Sequence, residues 1–488
     1  MSGGNHTITG SRDRSFFGHP KVLANLFGVE VWERFSFYGM QGIVLIYMYY
    51  SATRGGLGLD KSIATGIVGG YGGTVYICAI LGGWLADRVL GAERVLFFSA
   101  IVVMFGHIFL GVLPGYAGLF AGLICIAVGS GGIKTTATSL VGTLYSTDDE
   151  RRDAGFSLFY MGINVGALVG PFLTGILQKE WGFHFGFGLA ALGMAIGLVQ
   201  YSIGRKNLPE SGKRVPNPLP KSAYPKLIGI AVAGLALLVV LTLVHVITAA
   251  NLAVVVIIAA AAAAVVYFIV ILRSRRITHV ERRRVLAFIP MLIANSAFWS
   301  LYQQQFTVVT IYTDVRLDRS LFGWEMPVSW SQSINPVFII VFAGVFAAIW
   351  TKLGSRQPST PMKFVVGMAI MGVAFLLFIT MSGTGMHGAP LLGLVGVIFV
   401  FTVAELFISP VGLSLTTKLS PSIFQTQTVA LYFLSVAIGT AMAGELAKWY
   451  SPDHEVAYFG IIGGAGIVVA LLLLAFIKPI RSLMSGVH

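Results

Sequence analysis

Charge is scarce in this sequence. Of its 488 residues only 11% are Asp, Glu, Lys or Arg, 56% are hydrophobic, and the mean hydropathy is +0.82. That balance excludes an ordinary soluble domain. Cysteine is nearly absent: Cys78 and Cys125 both lie in apolar runs, so neither a disulfide framework nor a cysteine metal spacing is available, and both read as core thiols. His107, His184, His245 and the other histidines show no paired ligand spacing and read as packing or interface residues. No metal and no cofactor is expected. A nucleophile with a neighbouring base is also missing, which argues against a membrane-embedded enzyme. The first 20 residues are polar and lack the apolar core of a cleavable signal, so insertion is expected to rely on the first membrane helix.

Long apolar runs are abundant. A helix needs about 20 apolar residues to cross the hydrocarbon core, and such runs predict helices over 25–52, 62–87, 95–113, 116–145, 153–179, 183–204, 225–249, 252–272, 284–313, 326–351, 363–382, 389–418, 423–448 and 456–478. Fourteen crossings return the C-terminus to the side of the N-terminus. The 59 glycines fit close helix packing in lipid. The formal charge of +13 raises the question of nucleic acid, but topology explains it better. With both termini cytoplasmic, 25 of the 33 Lys and Arg fall in cytoplasmic segments, 6 in external ones and 2 inside helices, a strong positive-inside bias. No nucleic-acid partner is expected. A Pro-, Lys- and Ser-rich stretch at 205–226 and a basic cluster at 273–284 bracket one helix pair. The expected organisation is therefore a six-helix bundle over 21–204, a linker and inserted pair over 205–282, and a second six-helix bundle over 283–480, with two halves around a central cavity. The inserted pair carries no membrane charge and reads as a structural wedge at the bundle edge.

Ionisable residues inside membrane helices are costly, so each is a functional candidate. Glu30, Glu33 and Arg34 stand at i, i+3 and i+4, and Phe37, Tyr38 and Gln41 continue that face. One stripe carries acid, base and hydroxyl, where a carboxylate's hold on a proton depends on its partner; a static ion-pair cluster is the plainer reading. Lys134 follows Gly129, Ser130, Gly131 and Gly132, but Ile133 stands where a phosphate loop needs glycine. The glycines read as packing positions, and Lys134 as a cation seeking an acidic partner or an anionic substrate. Glu405, with Ser409 one turn on, has no partner in its own helix. Tyr76, Tyr160, Asn164, Trp299, Gln303, Asn335 and Tyr432 are further polar or amphipathic groups at mid-helix positions. A cationic pole in the first half and an anionic one in the second suit a zwitterion. Asp87, Arg88 and Arg94 read as a salt-bridged turn.

Several ordered stretches carry a resemblance. EVWERFSFYGM, GGWLADRVLGAER, GSGGIKTT, FSLFYMGINVGAL, FWSLYQQQ, SINPVFII and AELFISPVGLS resemble the motifs of the proton-dependent oligopeptide transporter family of the major facilitator superfamily. The inserted pair resembles that of its fourteen-helix bacterial members. The resemblance implies an all-α membrane protein that carries di- and tripeptides with protons by alternating access, in the inner membrane and as a monomer surrounded by lipid. The peptide carboxylate would lie near Arg34, Tyr38 and Lys134, and its amino group near Glu405, Asn164 and Asn335. Trp299 and Tyr76 would line side-chain pockets, and Tyr160, Gln303, Ser409 and Tyr432 complete the expected substrate site. Glu30 and Glu33 would be proton-linked, exchanging partners with Arg34 and Lys134. This sequence departs from the family at Gln41 and Gln303, where an Arg and a Glu usually form an inter-bundle pair, and at Tyr432, where Trp is common. Two neutral amides could hydrogen-bond there instead. Altered proton coupling, or another small zwitterion or anion as cargo, stands as the alternative.

Overall fold

Backbone groups in lipid must find their hydrogen bonds within the segment, which favours helices. The computed structural model describes residues 13–146 and 149–486; residues 1–12 of the polar N-terminal stretch lie outside them. Among the described residues the elements are α1 Lys21–Tyr49, α2 Lys61–Leu85, α3 Ala92–Val112, α4 Gly115–Gly142, α5 Arg152–Trp181, α6 Phe183–Gly204, α7 Glu210–Lys213, α8 Tyr224–Leu243, α9 Leu252–Arg273, α10 His279–Tyr302 and α11 Val308–Val315. A hairpin of β1 Ser320–Leu321 and β2 Trp324–Glu325 follows, then α12 Trp330–Leu353, α13 Thr360–Phe378, α14 Leu391–Leu419, α15 Gln425–Ala447, α16 Glu455–Ala475 and α17 Ile477–Leu483. Thirteen segments are long and apolar enough to span a membrane, α10 and α11 forming one of them over His279–Val315. α1, which carries Glu30, Glu33 and Arg34, is not among them, although its 29 residues reach roughly 43 Å at 1.5 Å per residue, long enough to cross.

The chain divides into two compact units. Unit 1 comprises Met1–Met40, Cys78–Leu177 and His184–Leu237; unit 2 comprises Gln41–Ile77, Gln178–Phe183 and Leu238–His488. Glycine sets helix spacing within each. In unit 1 a Cβ on Gly82 of α2 would lie 2.6 Å from the Cα of Gly132 in α4, and one on Gly170 of α5 would lie 2.9 Å from the nitrogen of Gly39 in α1. Those helices touch backbone to backbone, as small residues permit. Unit 2 repeats the device, where a Cβ on Gly69 of α2 would lie 2.6 Å from the Cα of Gly444 in α15.

The stretch after α6 is pinned rather than loose. Asn217 and Leu219 donate their backbone N–H groups to the carbonyls of Asp87 and Arg88, each at 3.0 Å. Asp87, Arg88 and Arg94 form no ion pair among the described residues, which corrects the expected salt-bridged turn. Asp87 and Arg88 stand instead in a π-helical turn, Ala86–Leu90, whose carbonyls the strap occupies, and Arg94 lies in α3. In the inserted pair, α9 buries Ala253, Val256, Ala260 and Ala264 along one stripe, with Val256 against Gly73 of α2. α8 buries no residue at all.

The run predicted as one helix over 284–313 is broken. Gln303–Phe306 form a 3-10 turn, and Thr307 leaves helical geometry at φ −125° and ψ −84°. Gln304 compensates within unit 2: its amide donates to the Ser300 carbonyl at 3.1 Å and accepts from the Tyr458 hydroxyl at 2.7 Å. Beyond the break, Arg316 clasps Glu455 through two bonds of 3.0 and 2.6 Å, and Tyr49 and Tyr50 both donate to Asp314, at 2.8 and 2.6 Å.

His107 in α3 is 0% exposed, and neither ring nitrogen has a hydrogen-bond partner among the described residues. An unpaired buried polar group costs about 1 to 3 kcal/mol. His107→Leu is therefore expected to raise the melting temperature in detergent, and a lower one would show that the ring does useful bonding.

Candidate functional site

Two polar centres stand in otherwise apolar surroundings, one in each unit. In unit 1, α1 brings Glu30, Glu33 and Arg34 to one face, and all three are buried. Arg34 Nε donates to Glu30 Oε1 at 2.7 Å and lies 3.3 Å from Glu33 Oε2. The glycine run of α4 allows close approach, and Ser130 in it donates its hydroxyl to Glu33 Oε1 at 2.6 Å. Lys134 follows Ser130 by one turn, half-buried, with Nζ 5.0 Å from the centre of the Phe37 ring and within the electrostatic reach of Glu33, Glu30 and Arg34. Glu30 Oε2 and Glu33 Oε2 accept no hydrogen bond from a described residue. The formal charges of the four groups sum to zero, with Glu33 Oε2 held at ion-pair distance from Arg34.

α5 lies against this centre, since a Cβ on Gly166 would meet Arg34 Cβ at 2.7 Å. On that helix Asn164 is buried and donates its amide to the Tyr160 carbonyl at 3.0 Å. Tyr160 itself is exposed. Tyr38 is half-buried on the Arg34 stripe, and its phenol acts electrostatically on Arg34.

In unit 2 the centre is Glu405 on α14. Tyr302, at the end of α10, lies 2.6 Å from Glu405 Oε2 and 3.3 Å from Asn335 Oδ1. A hydroxyl has one proton, so the shorter contact, to the carboxylate, takes it. Asn335 of α12 donates its amide to Thr402 Oγ1 at 2.9 Å and to Glu405 Oε2 at 3.3 Å. Oε2 is thus committed twice, whereas Oε1 accepts nothing from a described residue. Trp299 packs edge-on to Tyr302 at 5.3 Å, its indole nitrogen without a partner. Tyr76 stacks on Phe433, next to Tyr432. Ser409 makes no hydrogen bond to Glu405.

Gln41 and Gln303 are both buried in unit 2. The structure does not join them by a hydrogen bond, and Gln41 Oε1 has no hydrogen-bond partner among the described residues. Ser130, Tyr302 and Thr402 hold the two centres without having been expected as site residues. Ser130 had a signal in its spacing, one turn before Lys134. Tyr302 and Thr402 bond to groups remote in sequence or to helix positions unremarkable by composition.

Unit 1 thus sets two acids against two cations, whereas unit 2 holds one carboxylate among neutral hydrogen-bond donors. Among the described residues no group of three metal-ligating side chains comes together.

Known proteins share this chain's sequence and architecture. It is 41% identical over 478 residues to the uncharacterized transporter YclF of Bacillus subtilis (strain 168), with 97% of each chain covered. To the di-/tripeptide transporter of Lactococcus lactis subsp. cremoris it is 38% identical, covering 98% of this chain and 99% of that one. A crystal structure of a variant of peptide transporter POT, in complex with alafosfalin, is 44% identical and superimposes with a TM-score of 0.91 over 97% of this chain and 98% of that one. The profile described as the POT family matches residues 93–461. Its fold is that of the major facilitator transporters, and the chain belongs to the POT family.

Proposed function

We propose that this chain takes di- and tripeptides into the cell together with protons. The observation that carries the reading is the division of charge. Unit 1 offers Arg34 and Lys134 as a pole for a carboxylate, and unit 2 offers Glu405 with Oε1 uncommitted as a pole for an amine. A peptide with free termini is a zwitterion that needs both. The likeness to a di-/tripeptide transporter and to a peptide transporter with bound alafosfalin supports the choice of cargo.

Proton coupling follows from charge balance in a poorly solvated site. A substrate carboxylate drawn to Arg34 and Lys134 adds one negative charge to a neutral group of four, and protonation of Glu33 or Glu30 offsets it. Release of that proton restores the internal ion pairs and expels the carboxylate, so the proton and the peptide move together. In this reading the chain lies in the cytoplasmic membrane with both termini inside, which the positive-inside bias of its basic residues supports, and works as a monomer.

Uptake of labelled Ala-Ala into proteoliposomes under a proton gradient tests the reading. Competing peptides that are acetylated at the amine or amidated at the carboxylate should each lose about 10-fold or more in potency, because a hydrogen bond to a charged group is worth about 1.5 to 3 kcal/mol. Doubly capped peptides that compete as well as free ones would sink it.

A further inference from the structure

Where α9 ends and α10 begins, unit 2 gathers charge of one sign. Residues 273–284 hold six arginines and a single acid, and α17 adds Lys478 and Arg481 with no acid of its own. Hydrogen bonds draw the three stretches together. Arg282 donates to the Ser274 carbonyl at 3.3 Å, Arg283 to the Ser482 carbonyl at 2.9 Å, and Arg284 to the Ser485 carbonyl at 3.3 Å. Glu281 neutralises none of them. Its Oε2 accepts from the Thr278 backbone at 2.8 Å, closing the cap of α10, and its Oε1 accepts from the Ser422 backbone at 3.0 Å. Among the described residues no cation of this cluster forms an ion pair, whereas elsewhere in the chain Arg205 is paired with Glu93, Arg151 with Asp149 and Lys213 with Glu210. Crowded like charges repel, so the arrangement calls for an anion.

Apolar side chains continue from the cations along the same helix faces. On α10, Arg282 is followed by Leu286 at i+4 and Ile293 at i+11; on α9, Arg273 is preceded by Ile269 at i−4 and Val266 at i−7, and all six side chains are exposed. Each face thus ends in a cation and carries bare hydrocarbon along a membrane-length span. A small soluble anion would use only the charged end. We infer that the corner of α9, α10 and α17 is a binding site for an anionic phospholipid, its phosphate held by the exposed guanidinium groups and its acyl chains laid along α9 and α10. A zwitterionic head group brings its own cation and gains less there. Basic residues beside a span also act as a topological signal, but that role needs no bound lipid and gives no preference among lipids.

The inference is independent of the cargo, and its readout is lipid binding. Protein in a non-ionic detergent is titrated with phosphatidylglycerol or phosphatidylcholine, bound lipids are counted by native mass spectrometry, and the melting temperature is followed. Phosphatidylglycerol should bind at least about 10-fold more tightly and raise the melting temperature, and its advantage should shrink as salt is added. Arg275→Gln with Arg276→Gln and Arg282→Gln should weaken phosphatidylglycerol binding by about 10- to 100-fold, each cation at an anionic surface contributing a factor of roughly 5. Three exposed cations elsewhere, neutralised as Lys206→Gln with Arg214→Gln and Lys221→Gln, should alter it by less than about 3-fold. Equal binding of the two lipids by the wild type would overturn the inference and leave the cluster as a topological signal only. Equal losses in the two triple variants would overturn it too, by showing attraction to net charge and not to a site. So would a melting temperature raised as far by inorganic phosphate at the same concentration. The wild-type comparison of lipids and salt decides the matter if the first variant fails to fold.

Discussion

Arg34→Ala should abolish uptake and weaken the fold by about 3 to 5 kcal/mol, the usual result of removing one partner from a buried ion pair. Arg34 sits between two acids: Glu30 at 2.7 Å and Glu33 at 3.3 Å. Glu30 is 1% exposed and Glu33 0%, so without Arg34 water cannot replace it. Ser130 would still serve one oxygen of Glu33, but a hydroxyl does not neutralise a charge. Lys134 is a compact cation on a flexible stem and cannot reproduce the planar fork of the guanidinium. The measurement is a pair, melting temperature in detergent and initial uptake in proteoliposomes. Neutralising the acids at the same time, in Arg34→Ala with Glu30→Gln and Glu33→Gln, should recover the melting temperature and leave uptake absent. Uptake within 2-fold of wild type in Arg34→Ala, a gap of about 0.4 kcal/mol, would show that the cluster is structural and serves no cargo.

Glu405→Gln should have the opposite profile, with the fold kept and recognition lost. The amide has the shape of the acid, and its oxygen can accept from Tyr302 and Asn335 as Oε2 does at 2.6 and 3.3 Å. Removing a buried charge that has no cation beside it relieves desolvation, so the melting temperature should hold or rise. The KM for Ala-Ala should rise about 10- to 100-fold, since the amine loses a charged partner worth about 1.5 to 3 kcal/mol. N-acetyl peptides, which have no charged amine, should be affected much less. An unchanged KM for free peptides would remove Glu405 from the substrate site. Tyr302→Phe offers a graded version, as it removes one of the two hydrogen bonds on Oε2 without removing charge, and a double-mutant cycle with Glu405→Gln would measure their coupling.

Much of the unit 1 centre was legible because it is local. Glu30, Glu33 and Arg34 share a face by spacing alone, and a lysine in an apolar run announces itself through its cost. Membrane class followed from hydropathy for the same reason: the lipid acts on composition, residue by residue. The unit 2 centre is different. Tyr302 and Glu405 are 103 residues apart, and a tyrosine at a helix end carries no local mark of its partner. The break after Tyr302 was also hidden, because Gln303–Thr307 contains neither glycine nor proline, and Gln304 finds its compensating bond 154 residues away. The expected ion pair at Asp87 failed for a related reason, since a backbone strap arriving from Asn217 and Leu219 meets the turn through its carbonyls, a contact indifferent to side-chain charge.

α8 buries no residue, and only Tyr224, Leu227 and Leu241 along it are partly covered. Its 20 residues span roughly 30 Å, the thickness of a typical hydrocarbon core. A helix packed so lightly takes much of its tilt from the bilayer. α8 therefore adjusts to a thicker or thinner bilayer by leaning, with no buried side chain to displace. Its partner α9, keyed into unit 2 by Val256, keeps its angle. The pair thus divides membrane adaptation from mechanical support, and substitutions between apolar residues along α8 should be close to neutral wherever the same changes on the Ala253 to Ala264 stripe of α9 are costly.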